Sequence, residues 1–179
     1  MKRIKVVQDL DCESPRTSRD NVAVFCTTSR SFIGDCEITD KDAAQETIDA
    51  VQADGGYVTP LYLFRHSGDT ISTSPFSCPW DSGQCGFVYV TKEKMDEECP
   101  KDRDPLEWAE AMVEAEVKEM DMCLRGDVWG WVLYESCECP NCGDEHENVI
   151  DSCWGYVGYE YCVESAKLEH PDIPVDKED

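Results

Sequence analysis

Positive charge is scarce in this sequence. Lys and Arg number 16 against 39 Asp and Glu, a net charge of -23 at pH 7 and a pI near 4.2. A nucleic-acid binder needs a basic face to neutralise phosphates, so the composition argues against direct nucleic-acid binding. It argues equally against adhesion to an anionic membrane. Long hydrophobic runs are lacking too. No window approaches the ~18 apolar residues of a transmembrane helix. The opening Met1-Lys2-Arg3-Ile4-Lys5-Val6-Val7-Gln8-Asp9 returns to charge too soon for a signal peptide. Histidine occurs only 3 times, as His66, His146 and His170. There is neither a G-x-S-x-G elbow nor a glycine-rich phosphate loop. These absences lead us to expect a binding protein rather than an enzyme.

What is present is enough for a core. The chain has 179 residues, 41% of them hydrophobic. That suits one domain over 1–168 and an acidic, Pro-containing flexible tail over 169–179. The 12 cysteines, without a secretory leader, place the chain in a reducing cytoplasm. Most then read as small core residues or metal ligands. Cys26, Cys85 and Cys162 sit inside apolar runs and read as core.

The alternation of Lys2 to Gln8 predicts a strand, as do 21–27, 57–64 and the nearly continuous apolar Cys85-Gly86-Phe87-Val88-Tyr89-Val90. Asp40 or Thr39 caps a helix with Ala43, Ala44, Ile48 and Val51 on one face. A long helix is predicted over 105–124. Asp104 is its cap, Pro105 its first residue and Glu107 completes a capping box. Its stripe is Ala109, Met112, Val113, Val117, Met120 and Leu124, and Gly126 stops it. Residues 158–168 read as a short helix or a further strand. The fold class is therefore α+β: a mainly antiparallel sheet with two or three helices on one face and a zinc-stapled β-hairpin.

That hairpin carries the most specific chemistry. Cys137-Glu138-Cys139-Pro140-Asn141-Cys142-Gly143-Asp144-Glu145-His146 lies between two aromatic, β-branched segments. Cys139-Pro140-Asn141-Cys142-Gly143 has the form of a zinc knuckle, in which the two-residue gap lets both thiolates reach one ion. Cys137 and His146 complete a closed tetrahedral set, the pattern of a structural Zn2+ rather than a catalytic one. Cys153 is a reserve ligand. The other readings are a reduced loop with reactive thiols, or a local disulfide. The polar stretch 65–84 offers a weaker constellation: His66 with Asp81, and Ser67, Ser82 or Cys85 as nucleophile. It also reads as a loop pinned by hydrogen bonds and anchored by Trp80.

Four further pieces share an order and spacing. They are His66-Ser67-Gly68 with Ile71-Ser72-Thr73, Trp80-Asp81-Ser82-Gly83-Gln84 leading into Gly86-Phe87-Val88-Tyr89, Leu124-Arg125-Gly126-Asp127-Val128-Trp129-Gly130-Trp131, and Asp151-Ser152-Cys153-Trp154-Gly155-Tyr156. Over about 57–158 they resemble a family of small acidic proteins of bacteriophages and mobile elements. With the zinc hairpin added, the chain resembles the metal-binding type II-A anti-CRISPR proteins, inhibitors of Cas9; the zinc loop is an insertion relative to the family pattern. The resemblance implies a partner, Cas9, met in the cytoplasm of a bacterial host. It implies contact through acidic faces: Glu107, Glu110, Glu114 and Glu119 on the long helix, and Glu138, Asp144, Glu145 and Glu147 around the metal tip. Cas9 holds its heteroduplex in a positively charged channel, so occupying that surface would prevent target DNA loading. The same charge fits an antirestriction DNA mimic acting on another host enzyme, a counter-defence hydrolase using His66 and Asp81, or simply a soluble acidic surface.

Overall fold

The computed structural model describes residues 1–28, 34–138 and 145–176. In chain order the elements are β1 (Lys2–Gln8), α1 (Pro15–Ser18), β2 (Val24–Thr27), β3 (Cys36–Glu37), α2 (Lys41–Ala53), β4 (Tyr57–Arg65) and β5 (Asp69–Ser72). They continue with β6 (Ser82–Val90), α3 (Lys92–Glu98), α4 (Pro105–Leu124), β7 (Val128–Glu138), β8 (Glu145–Val157), α5 (Tyr159–Glu169) and β9 (Val175–Asp176). The fold is α+β. It corrects the expected architecture in two respects. There are two mixed sheets where one was expected, and five helices among the described residues where two or three were.

The chain divides into two compact units, one formed by Met1–Glu13 with Gly126–Asp179, the other by Ser14–Arg125. The first unit is a four-stranded sheet in the order β8-β7-β1-β9. β1 and β8 run antiparallel to β7, while β9 runs parallel to β1. The alternation of β1 sends Ile4 and Val6 to one face, where Trp131 and Leu133 of β7 join them under Cys162 and Ala166 of α5. Trp131 is 1% exposed, and its indole N–H donates to Tyr156 Oη at 3.3 Å. The segment beyond 169, read as a fraying tail, donates β9.

The second unit is a five-stranded sheet in the order β3-β2-β6-β4-β5. One face carries Phe25, Leu61, Leu63, Val88 and Val90 against α4. The α4 stripe buries Ala109, Val113, Val117 and Met120, with Met112 and Leu124 partly covered. Trp108 joins them, outside the expected stripe. Each fully buried Val, Leu or Phe contributes roughly 1.5–3 kcal/mol. Asp104 caps α4, accepting from the N–H groups of Leu106 and Glu107 at 2.9 and 3.0 Å. Gly126 follows its C-terminus with φ +75°, a conformation that favours glycine. The other face, with Phe87 and Tyr89, meets α2, so the helices of this unit lie on both faces of its sheet rather than one. α3 forms in the charged stretch between the strand expected over 85–90 and the long helix expected over 105–124, where no element was predicted. Thr91 caps it and Met95 anchors it in the core. Among the described residues no helix is long and apolar enough to cross a membrane.

Candidate metal centre and acidic faces

β7 and β8 form the expected hairpin. Its register places Cys137 opposite His146 and Glu138 opposite Glu145. Opposed side chains on an antiparallel pair stand on one face with Cβ atoms about 4.5–5.5 Å apart. Ligands at Zn–S ≈ 2.3 Å and Zn–N ≈ 2.0–2.1 Å are within reach of one ion from such a pair. Both residues are exposed. The Asn148 side-chain N–H donates to Cys137 Sγ at 3.2 Å, an outer hydrogen bond of the kind that supports a thiolate ligand. Cys139, Cys142 and Asp144 lie outside the described residues. Among the described residues no group of three or more His, Cys, Asp or Glu is placed to hold a metal. Cys153, the reserve ligand, pairs with Trp131 and packs toward the core of its unit. It is seven positions from His146 along β8, roughly 20 Å at strand rise, and so is too far to share an ion with Cys137.

The acidic candidates separate into free and engaged groups. On α4, Glu107, Glu110 and Glu114 are exposed, and none of them is in an ion pair among the described residues. They stand at i, i+3 and i+7, one solvent-facing stripe. Burial raises the pKa of the Tyr57 phenol, and the charges of Glu110 and Glu114 raise it further. Glu119 differs: it is paired with Arg19. Around the hairpin, Glu138 and Glu145 are exposed. Glu147 is engaged, bonded to Arg3 and, at 3.0 Å, to Lys5 Nζ. Those bonds, from Lys5 first and Arg3 second, draw its pKa down.

In the polar stretch, His66 Nδ1 lies 3.7 Å from Asp81 Oδ2, the pairing expected. Ser67 Oγ donates to the His66 carbonyl, Ser82 Oγ to the Cys78 carbonyl and Cys85 Sγ to the Leu61 carbonyl. Each expected nucleophile thus donates to the backbone. Cys78 Sγ bonds Asp81 Oδ2 at 3.6 Å. Trp80 is 91% exposed and anchors nothing.

The sequence reading missed two features. Arg16, between the strands predicted at 2–8 and 21–27, has its side chain buried between Asp35 and Glu116. Without the distant partners, nothing local sets it apart from Arg19, three positions on. Cys26, read as a core thiol, forms a disulfide with Cys36; a cysteine ten positions away was the available hint.

Compared with protein-family models, curated proteins and solved structures, the chain matches none.

Proposed function

We propose that this chain is an anti-CRISPR inhibitor that docks on the basic nucleic-acid-binding surface of Cas9 and prevents target DNA loading. The observation that carries this reading is the α4 stripe. Glu107, Glu110 and Glu114 are exposed and, among the described residues, uncompensated on a chain of net charge -23. Such a field accelerates encounter with a cationic cleft and weakens as salt shortens the Debye length from about 30 Å at 0.01 M to 8 Å at 0.15 M. Glu138 and Glu145, opposed at the end of the β7–β8 hairpin, supply a second acidic contact. Glu119 and Glu147 belong to internal ion pairs and drop out of the contact set.

Zinc, bound by Cys137, Cys139, Cys142 and His146, would act as a structural staple of the hairpin tip. Metal binding contributes order directly where a polar loop has no core of its own. The cross-strand placement of Cys137 and His146 and the Asn148 bond to the sulfur support that assignment.

The test is a gel shift of target DNA with guide-loaded Cas9, titrated with this protein at low and high salt. Loss of DNA loading near one equivalent, weaker at high salt, is the expected result. Loading that persists while cleavage stops would move the inhibited step past DNA binding. No effect on either would refute the Cas9 reading and direct the same assay to restriction enzymes, the targets of an antirestriction mimic. Inhibition far below one equivalent would point to turnover instead.

A further inference from the structure

The Cys26–Cys36 disulfide lines a cavity. β2 and β3 pair in parallel with Cys26 opposite Cys36, and their Cα atoms are 4.6 Å apart. β3 is only two residues long and stands at the sheet edge. Above this face lies α2, which buries none of its residues fully. Between them is a space of about 320 Å³, walled by both cysteines, by Phe87 and Tyr89 of β6, and by Glu37 and Asp40. Among the described residues no Lys or Arg contributes to its lining. The two sulfurs differ in access: Cys26 is 4% exposed, whereas Cys36 is half-buried.

We propose that this cavity is a thiol-exchange site selective for small cationic thiols. The thiolate of an entering aminothiol attacks Sγ of Cys36. The new S–S bond joins the small molecule to Cys36, the Cys26–Cys36 bond breaks, and Cys26 leaves as a thiolate that takes up the proton lost by the incoming thiol. A second thiol molecule attacking the mixed disulfide releases the small-molecule disulfide and leaves both cysteines reduced. Electrons balance, because two thiols are oxidised to one disulfide as one protein disulfide is reduced. Attack falls on Cys36 because exchange needs access to the sulfur. Selectivity follows from the walls. Glu37 is exposed and unpaired among the described residues, Asp40 adds a second carboxylate while capping α2, and the mutually stacked rings of Phe87 and Tyr89 line the wall without adding positive charge. An ammonium is attracted there, and an anionic thiol such as glutathione is repelled. This assignment is independent of the Cas9 reading.

The experiment compares cysteamine with glutathione on the full chain, at equal thiolate concentration. Reactions are quenched with a maleimide and mapped by peptide mass. Cysteamine is expected to open the disulfide at least about tenfold faster at low salt. The advantage should shrink at high salt and in Glu37→Gln. Early quenches should show cysteamine on Cys36 and maleimide on Cys26. Equal rates for the two thiols would overturn the selectivity, and an adduct on Cys26 would overturn the assigned direction of attack. If the untreated protein already carries maleimide on both cysteines, the disulfide and the proposal fall together.

Discussion

Replacing Arg16 by Ala should be among the most damaging single changes in the chain. Its side chain is 4% exposed. Nε and Nη2 hold Asp35 at 3.2 and 2.6 Å, and Nη1 holds Glu116 at 2.6 Å. Nη2 also donates to the Ala23 carbonyl at 2.5 Å, and the guanidinium stands 4.1 Å from the Phe25 ring centre. The carboxylates in turn accept backbone N–H groups, Asp35 from Phe25 and Glu116 from Val22 and Ala23. One side chain thus ties α1, β2 and α4 together. Without it, two carboxylates that are 26% and 14% exposed lose their cation. Breaking a buried pair in this way costs about 3–5 kcal/mol. Water reaching Asp35 offsets part of that, and the lost Ala23 bond adds about 1 kcal/mol. We expect a net loss of about 4 kcal/mol, which in a chain of this size lowers Tm by roughly 8–16 °C. Arg16→Lys keeps the charge but not the fork and should fall between. Pairing Arg16→Met with Glu116→Gln removes one stranded charge and should recover part of the loss. Calorimetry on the purified variants reads all three. An Arg16→Ala protein melting within about 2 °C of the parent would refute the reasoning.

Other perturbations test the hairpin and the two cores. Cys139→Ser or Cys142→Ser should release zinc, measured by a colorimetric chelator, and lower Tm; unchanged metal content and melting would remove these two from the ligand set. Gly130→Ala should destabilise by about 1–3 kcal/mol through overpacking, since an added Cβ would lie 2.2 Å from Cε3 of Trp154. Indole fluorescence should shift as Trp154 is displaced, and unaltered emission and stability would count against that packing. Burial pushes the thiols of Cys85 and Cys162 up to about 11, so both stay protonated at pH 8 and should resist alkylation that labels the exposed Cys137 once zinc has been removed by a chelator. The stability they contribute is full below their ordinary pKa near 9 and is lost as pH rises through 11, which alkaline melting curves would show.

Elements with a strong local period are legible in the amino-acid sequence itself. The α4 stripe, its Asp104 cap and the β7–β8 hairpin follow from spacing alone, because a helix stripe or a strand alternation is written in consecutive residues. Sheet membership is different. Alternation says which side chains share a face, not which strand lies alongside, so β1 and β6 could not be assigned to separate sheets from pattern. α3 was missed because Met95 is its only buried residue and seven charged-rich positions carry little period. The acidic faces were half legible. Counting identified the glutamates, but only the fold pairs Glu119 with Arg19 and Glu147 with Arg3 and Lys5. Arg16 and its partners illustrate the same limit, since Arg16 and Glu116 are 100 positions apart.

The division of the chain has a kinetic consequence. Ser14–Arg125 is continuous and holds a complete sheet with its own helices, so every partner it needs has been synthesised once α4 leaves the ribosome. The other unit is built from both ends of the chain. β1, made first, pairs with β7, with Lys2 opposite Glu135 and Gln8 opposite Trp129, and no other strand of its sheet exists until then. Ile4 and Val6, buried in the finished sheet, therefore wait in an unpaired segment until β7 has been made. Long-range pairing of this kind folds slowly. The charges on Lys2, Arg3 and Lys5, interleaved with those apolar residues, act as gatekeepers that keep the waiting strand from associating with another copy of itself.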